Sequence, residues 1–175
     1  MKRSNIKDTR SEQEVEIITY GNPVLRKKAA EIKNITEDIK KTAENMIYIM
    51  HTAPGIGLAA PQINKSIRLI TIDLSVGERK EDLIVLINPV ILSQEGQHED
   101  EEGCLSVPGI NEKVSRSFRM ECTGYDLEEK EKKIEAEGLL ARVISHEVDH
   151  LNGKLFIDHL SPLKKSIIRK KFKKR

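Results

Sequence analysis

The amino-acid sequence predicts an α+β domain in which mixed or antiparallel sheets pack around a central buried helix, with one more helix at the C-terminus. Three observations predict it. Helical spacing of apolar residues is confined to 36–51, 139–151 and a weaker stretch after 161. Runs rich in β-branched residues, broken by Gly, Asn or Pro, fill most of the interval between the first two. The chain has 175 residues, 38% hydrophobic and 33% charged, which suits one domain with a real core under a heavily charged surface and excludes a disordered chain. Aromatics make up only 3%, so that core must be aliphatic.

Taken in order, residues 1–14 are polar and of mixed charge, without the apolar stretch of a secretion signal, and read as an N-terminal arm; the expected location is cytoplasmic. Residues 15–161 form the folded body. Thr36 to His51 reads as a helix, with Ile39, Ala43, Met46, Ile47 and Met50 on one face and Glu37 and Asp38 in the first turn. Ile67–Asp73, Leu83–Asn88, Val90–Leu92, Arg119–Tyr125 and Lys132–Glu137 read as strands. The longest apolar runs are far too short to span a bilayer. Leu139 to Leu151 is a second helix, stopped by Gly153. Its apolar residues, together with His146, Glu147 and His150, cover an arc of about 220° at 100° per residue, leaving Arg142, Ser145, Asp149 and Asn152 as a narrow polar stripe. Such a helix is mostly buried.

That helix carries His146-Glu147-Val148-Asp149-His150, an H-E-x-x-H pattern. Histidines four apart project from one face, so two imidazole nitrogens can converge on one metal ion, with Glu147 close enough to reach a water beside it. Hydrogen-bonded histidines alone would give no reason for three ionisable groups side by side on a buried helix. Two ligands make an incomplete site, since a catalytic centre of this type has three and an open position. Phe156 stands where the longer zinc-protease pattern has its third histidine, and nothing acidic follows Asp158. The third ligand must come from upstream, and the best candidate is Cys104 in Glu102-Gly-Cys-Leu-Ser106. Cys122 lies in an alternating run and reads as a core residue of a strand; two cysteines are too few for a disulfide framework. A third segment, Gly55-Ile-Gly-Leu-Ala-Ala-Pro-Gln62, lacks the features of a phosphate loop. Its glycines allow close backbone approach, and Gln62 offers an amide donor.

Gly-x-Gly-Leu-Ala-Ala-Pro-Gln, Glu-Gly-Cys-Leu-Ser and His-Glu-x-x-His, in that order, strongly resemble the peptide deformylase family. Tyr20 to Arg26 and Gly138 to Asp158 are similar to it as well, so the likeness spans about 15–161. The resemblance implies hydrolysis of N-formyl-methionyl N-termini of new polypeptides, releasing formate. It implies that Cys104, His146 and His150 bind one divalent ion, Fe(II) in the cell, with Zn(II), Ni(II) or Co(II) possible. Glu147 would be the general acid/base. The Gln62 side chain and the Leu105 backbone N–H would stabilise the oxyanion. Gly57 would hydrogen-bond the substrate backbone, and Leu139 and Val143 would line the methionine pocket.

The last fifteen residues hold eight basic side chains and no acid. Without them, 22 basic side chains face 28 acidic ones, a net −6 body with a +8 tail. Ser161-Pro162 suits a helix start, and Leu163, Ile167, Ile168 and Phe172 recur at helical spacing, so 162–175 is expected to be a basic helix. Among bacterial members of similar layout such a helix docks on the ribosome, and the expected partner of this tail is ribosomal RNA.

Overall fold

Thr36 opens the first helix by accepting a hydrogen bond from the Ile39 N–H, and α1 (Glu37–Thr52) follows with two acids in its first turn. The computed structural model describes residues 16–53 and 55–173; the arm expected over 1–14 lies outside them. After α1 come β1 (Gly57–Ala59), a 3-10 turn at Ala60–Ile63, β2 (Leu69–Ile72), β3 (Ile84–Glu95), β4 (His98–Gly103), β5 (Asn111–Arg116), β6 (Arg119–Tyr125) and β7 (Glu131–Glu137). The chain then forms α2 (Gly138–Leu151), a 3-10 turn at Phe156–His159, and α3 (Pro162–Lys173).

Five strands form one antiparallel sheet in the order β1-β2-β3-β6-β7, and β4 and β5 form a separate antiparallel hairpin. The two runs predicted on either side of Asn88 are one strand. Asn88 takes φ 52° and the register shifts between Ile87 and Val90, a bulge that absorbs the Asn-Pro break without ending the strand. The Asn88 amide fixes the bulge by exchanging hydrogen bonds of 2.8 and 2.9 Å with the Ile32 backbone.

The core is layered about α2. Ala141, Val143, Ile144, Val148 and Leu151 pack on Ile70, Ile72, Leu86, Met120, Cys122 and Ala136 of the large sheet. On the other side, the β4–β5 hairpin meets α2 through charged groups. Ten of the fourteen α2 residues are buried, which bears out the buried helix. The polar stripe is the exception to its sequence reading, because Arg142 and Ser145 are buried too. Cys122 faces the core as expected, and burial pushes its thiol up to about 11. Gly153 ends α2 at φ +71°, where a Cβ would lie 2.6 Å from the Arg26 carbonyl oxygen, so no other residue fits.

Candidate active site

The i, i+4 spacing on α2 brings His146 Nε2 within 3.2 Å of His150 Nε2. The chain leaving β4 places Cys104 Sγ 3.3 Å from the same His150 nitrogen. One atom from each of these three residues lies within 4.8 Å of the other two. Donors about 2.0–2.3 Å from a tetrahedral ion stand roughly 3.3–3.6 Å apart, so these spacings and this N₂S donor set fit a transition-metal ion. His159, the other histidine near the end of α2, bonds Asp149 at 2.7 Å, away from the trio.

Beside the trio lies a cavity of about 560 Å³. Gly57 and Gln62 line one wall and Cys104 and Leu105 another, while Leu139, Val143, His146 and Glu147 line it from α2. Every site residue singled out from the sequence is thus brought to one place, with His150 buried behind the cavity against Cys104 and His146. Leu139 stands half exposed at the mouth, whereas Val143 is buried within. The Gly55–Gln62 segment, to which the sequence assigned no strand, contributes the edge strand β1. With β4, also an edge strand, β1 helps frame the cavity. Gln62 sits on the turn after β1. Its carbonyl accepts the Ala59 N–H at 2.9 Å, which turns its NH₂ toward Ser106 Oγ (3.2 Å) and Cys104 Sγ (3.6 Å).

Glu147 is 3% exposed, and its Oε2 has no hydrogen-bond partner among the described residues. Burial pushes its carboxyl up to about 7; the nearby His146 opposes this and Glu102 adds to it. A Cβ on Gly57 would lie 2.5 Å from Glu147 Oε1, so only glycine leaves the acid its place.

Behind the histidines lies a network that the sequence reading did not assign. Glu102 Oε2 faces His146 Nδ1 at 3.1 Å, while Arg116 grips both Glu102 oxygens at 2.9 and 3.0 Å. Arg142 donates to Glu102 Oε1 at 2.7 Å, and Arg116 also reaches Asp149 at 2.6 Å. Burial works against the charge on Glu102, but His146 and Arg116 overcome it and hold the carboxyl down at about 2. His146 is raised: burial opposes its charge, but hydrogen bonding to Cys104 and Glu102 prevails. His150 is lowered by burial and by the neighbouring His146. The available signal was an arginine one turn before His146 on a helix read as mostly buried, together with an acid two residues before the cysteine.

The family described as polypeptide deformylase matches residues 14–166. The chain belongs to that family. It is 51% identical over 159 residues to a peptide deformylase of Thermodesulfovibrio yellowstonii, covering 91% of this chain and 96% of that protein. A peptide deformylase of Syntrophobacter fumaroxidans is 46% identical over 161 residues, covering 92% and 95%. Among solved structures, a peptide deformylase from Legionella pneumophila superposes with a TM-score of 0.86 at 42% identity, over 91% of this chain and 93% of that one. The enzyme is accordingly a metal-dependent hydrolase that removes the N-formyl group from nascent polypeptides.

Proposed function

We propose that Cys104, His146 and His150 hold one divalent ion, Fe(II) in the cell, at a site that also accepts Zn(II), Ni(II) or Co(II). The convergence of one sulfur and two imidazole nitrogens beside a buried carboxyl carries this reading. When bound, the ion supplies Lewis acidity, bringing the pKa of water toward neutrality and polarising a carbonyl. Glu147 takes a proton from the attacking water and delivers it to the leaving amide nitrogen. Its carboxyl, near 7, is matched to both transfers at neutral pH. The Gln62 NH₂ and the Leu105 N–H steady the charge that develops on the formyl oxygen. Water adds to the formyl carbon, the C–N bond breaks, and formate and a free amino terminus leave.

The substrate backbone runs between the edges of β1 and β4, hydrogen-bonded at Gly57, with the methionine side chain against Leu139 and Val143. Two unpaired strand edges facing one cavity support this placement. The smallness of the formyl group suits a recessed centre that reaches a chain end but not the interior of a folded polypeptide. Glu147→Gln tests the acid/base role. The variant should keep its metal while formate release from formyl-Met-Ala falls by about 10²–10⁴-fold. Near-normal turnover would remove Glu147 from the mechanism.

Residues 15–161 are the catalytic domain, and 162–175 are an appended basic segment, helical over Pro162–Lys173, that meets ribosomal RNA through its phosphates in the cytoplasm. No described helix is long and apolar enough to cross a membrane. Supporting the tail's role, α3 anchors Ile168 in the body and sets Phe172 edge-on to Tyr20, while Lys170 is exposed and Lys165 half-buried. Because Ile168 is core, deleting the helix would disturb the body, so charge removal is the cleaner test. Lys165→Gln with Lys170→Gln should spare short-peptide hydrolysis and weaken ribosome co-sedimentation, most visibly at low salt. Unchanged co-sedimentation would end the idea.

A further inference from the structure

We propose that Arg142 is a positioning residue for the metal centre, clamping the hairpin that leads into Cys104 onto the helix that carries both histidines. Arg142 lies one turn before His146 on α2 and is only 6% exposed. Besides Glu102, its guanidinium donates to three backbone carbonyls of the hairpin. These are Val114 at 2.9 Å, His98 at 2.7 Å and Asp100 at 3.5 Å. It therefore grips both strands, β4 through His98 and Asp100 and β5 through Val114.

The hairpin needs such a clamp. It is separate from the five-stranded sheet, so no ladder bond fixes its distance from α2. Along β4 only Glu102 is buried; the other five residues are exposed. Apolar packing therefore gives this strand little hold on the helix. Cys104 follows the last β4 residue directly, so any drift of the hairpin changes the 3.3 Å separation between Cys104 Sγ and His150 Nε2. Arg116 also ties the hairpin to α2, through Asp149 at 2.6 Å, but from one end of β5 and through side chains; Arg142 adds the grip on backbone carbonyls of both strands. The guanidinium of Arg142 is planar, with five donors in fixed directions, and so can hold a carboxylate and several carbonyls together. A lysine at 142 would keep the charge and the Glu102 contact but not the whole set.

This inference rests on the reading that Cys104, His146 and His150 hold the ion, and the test separates the two. Enzyme loaded with Co(II) is exposed to a competing chelator, while its thiolate-to-cobalt absorption and thermal midpoint are recorded. Arg142→Met should release the ion about tenfold faster and bind it about tenfold more weakly, with a diminished thiolate band; removing groups that orient ligands costs about 10–100-fold in affinity. Arg142→Lys should fall between it and the parent, and carries the test if the methionine variant does not fold. Arg68→Met is the control for general destabilisation. That buried arginine bonds Asn152 Oδ1 and the Pro89 carbonyl, away from the hairpin, so its loss should lower the midpoint and leave cobalt affinity unchanged. Affinity within twofold of the parent in the Arg142 variants, with an unaltered band, would overturn the proposal and leave the ligand set standing. Absence of a thiolate band in the parent enzyme would overturn the ligand set, and the proposal with it.

Discussion

Replacing Gly57 with alanine adds one methyl group at the most crowded point of the site. Its Cβ would stand 2.5 Å from Glu147 Oε1 and 2.8 Å from Val143 Cγ1. An ordinary contact needs roughly 3.5 Å between such atoms, so strand or carboxyl must retreat by about 1 Å. Val143 is buried against the sheet and has little room to give, so the displacement falls mainly on Glu147. A misplacement of about 1 Å in a catalytic group costs on the order of 10²-fold. Gly57→Ala should therefore lower kcat/KM for a formyl-Met peptide by about a hundredfold, while metal content stays at one ion per chain because no ligand is touched. Formate release measured alongside metal analysis distinguishes the two effects. An alanine variant within a few-fold of the parent would show that Glu147 is not held where the mechanism needs it.

Two further outcomes follow from buried groups. Glu102 titrates at about 2 in the folded chain against an ordinary value of 4.5, so its contribution to stability is fully present above about pH 4.5 and is lost as pH falls toward 2. At 1.36 kcal/mol per unit this is on the order of 3 kcal/mol. His146, raised well above 6.5, is charged in both states throughout that window and adds no slope. Acid unfolding of Glu102→Gln should consequently be shallower than that of the parent between those pH values, and equal slopes would refute the assignment. At the end of α2, Gly153→Ala combines a left-handed φ with a clash against the Arg26 carbonyl; it should cost about 2 kcal/mol and lower Tm by about 4–8 °C. A calorimetric shift under 1 °C would contradict the reading of that turn.

What the sequence made legible follows a physical division. The helix bearing His146 and His150 could be read because burial on nearly all sides leaves a wide apolar arc, and Cys104 because an incomplete ligand pair demands a third donor. Strands of the large sheet showed themselves through β-branched residues that pack on α2. The β4–β5 hairpin did not. Glu99, Asp100 and Glu101 face solvent, and its one buried β4 side chain, Glu102, is charged and satisfied only by partners distant in sequence. Period-two alternation needs an apolar face, and this hairpin meets the helix through an ionic network instead. For the same reason Arg142 read as part of a polar stripe, when its charge is in fact neutralised across 40 residues by Glu102. The strand β1, three residues long between glycine and alanine, is too short to carry a pattern, and only its pairing with Ile70–Ile72 defines it.

The account stands or falls on the identity of the atoms around the ion. X-ray absorption spectroscopy of the metal-loaded enzyme should give one sulfur at about 2.3 Å and two imidazole nitrogens at about 2.0–2.1 Å per ion, with the sulfur lost in Cys104→Ala. A spectrum of the parent enzyme with no sulfur neighbour, or one unchanged by that substitution, would contradict it.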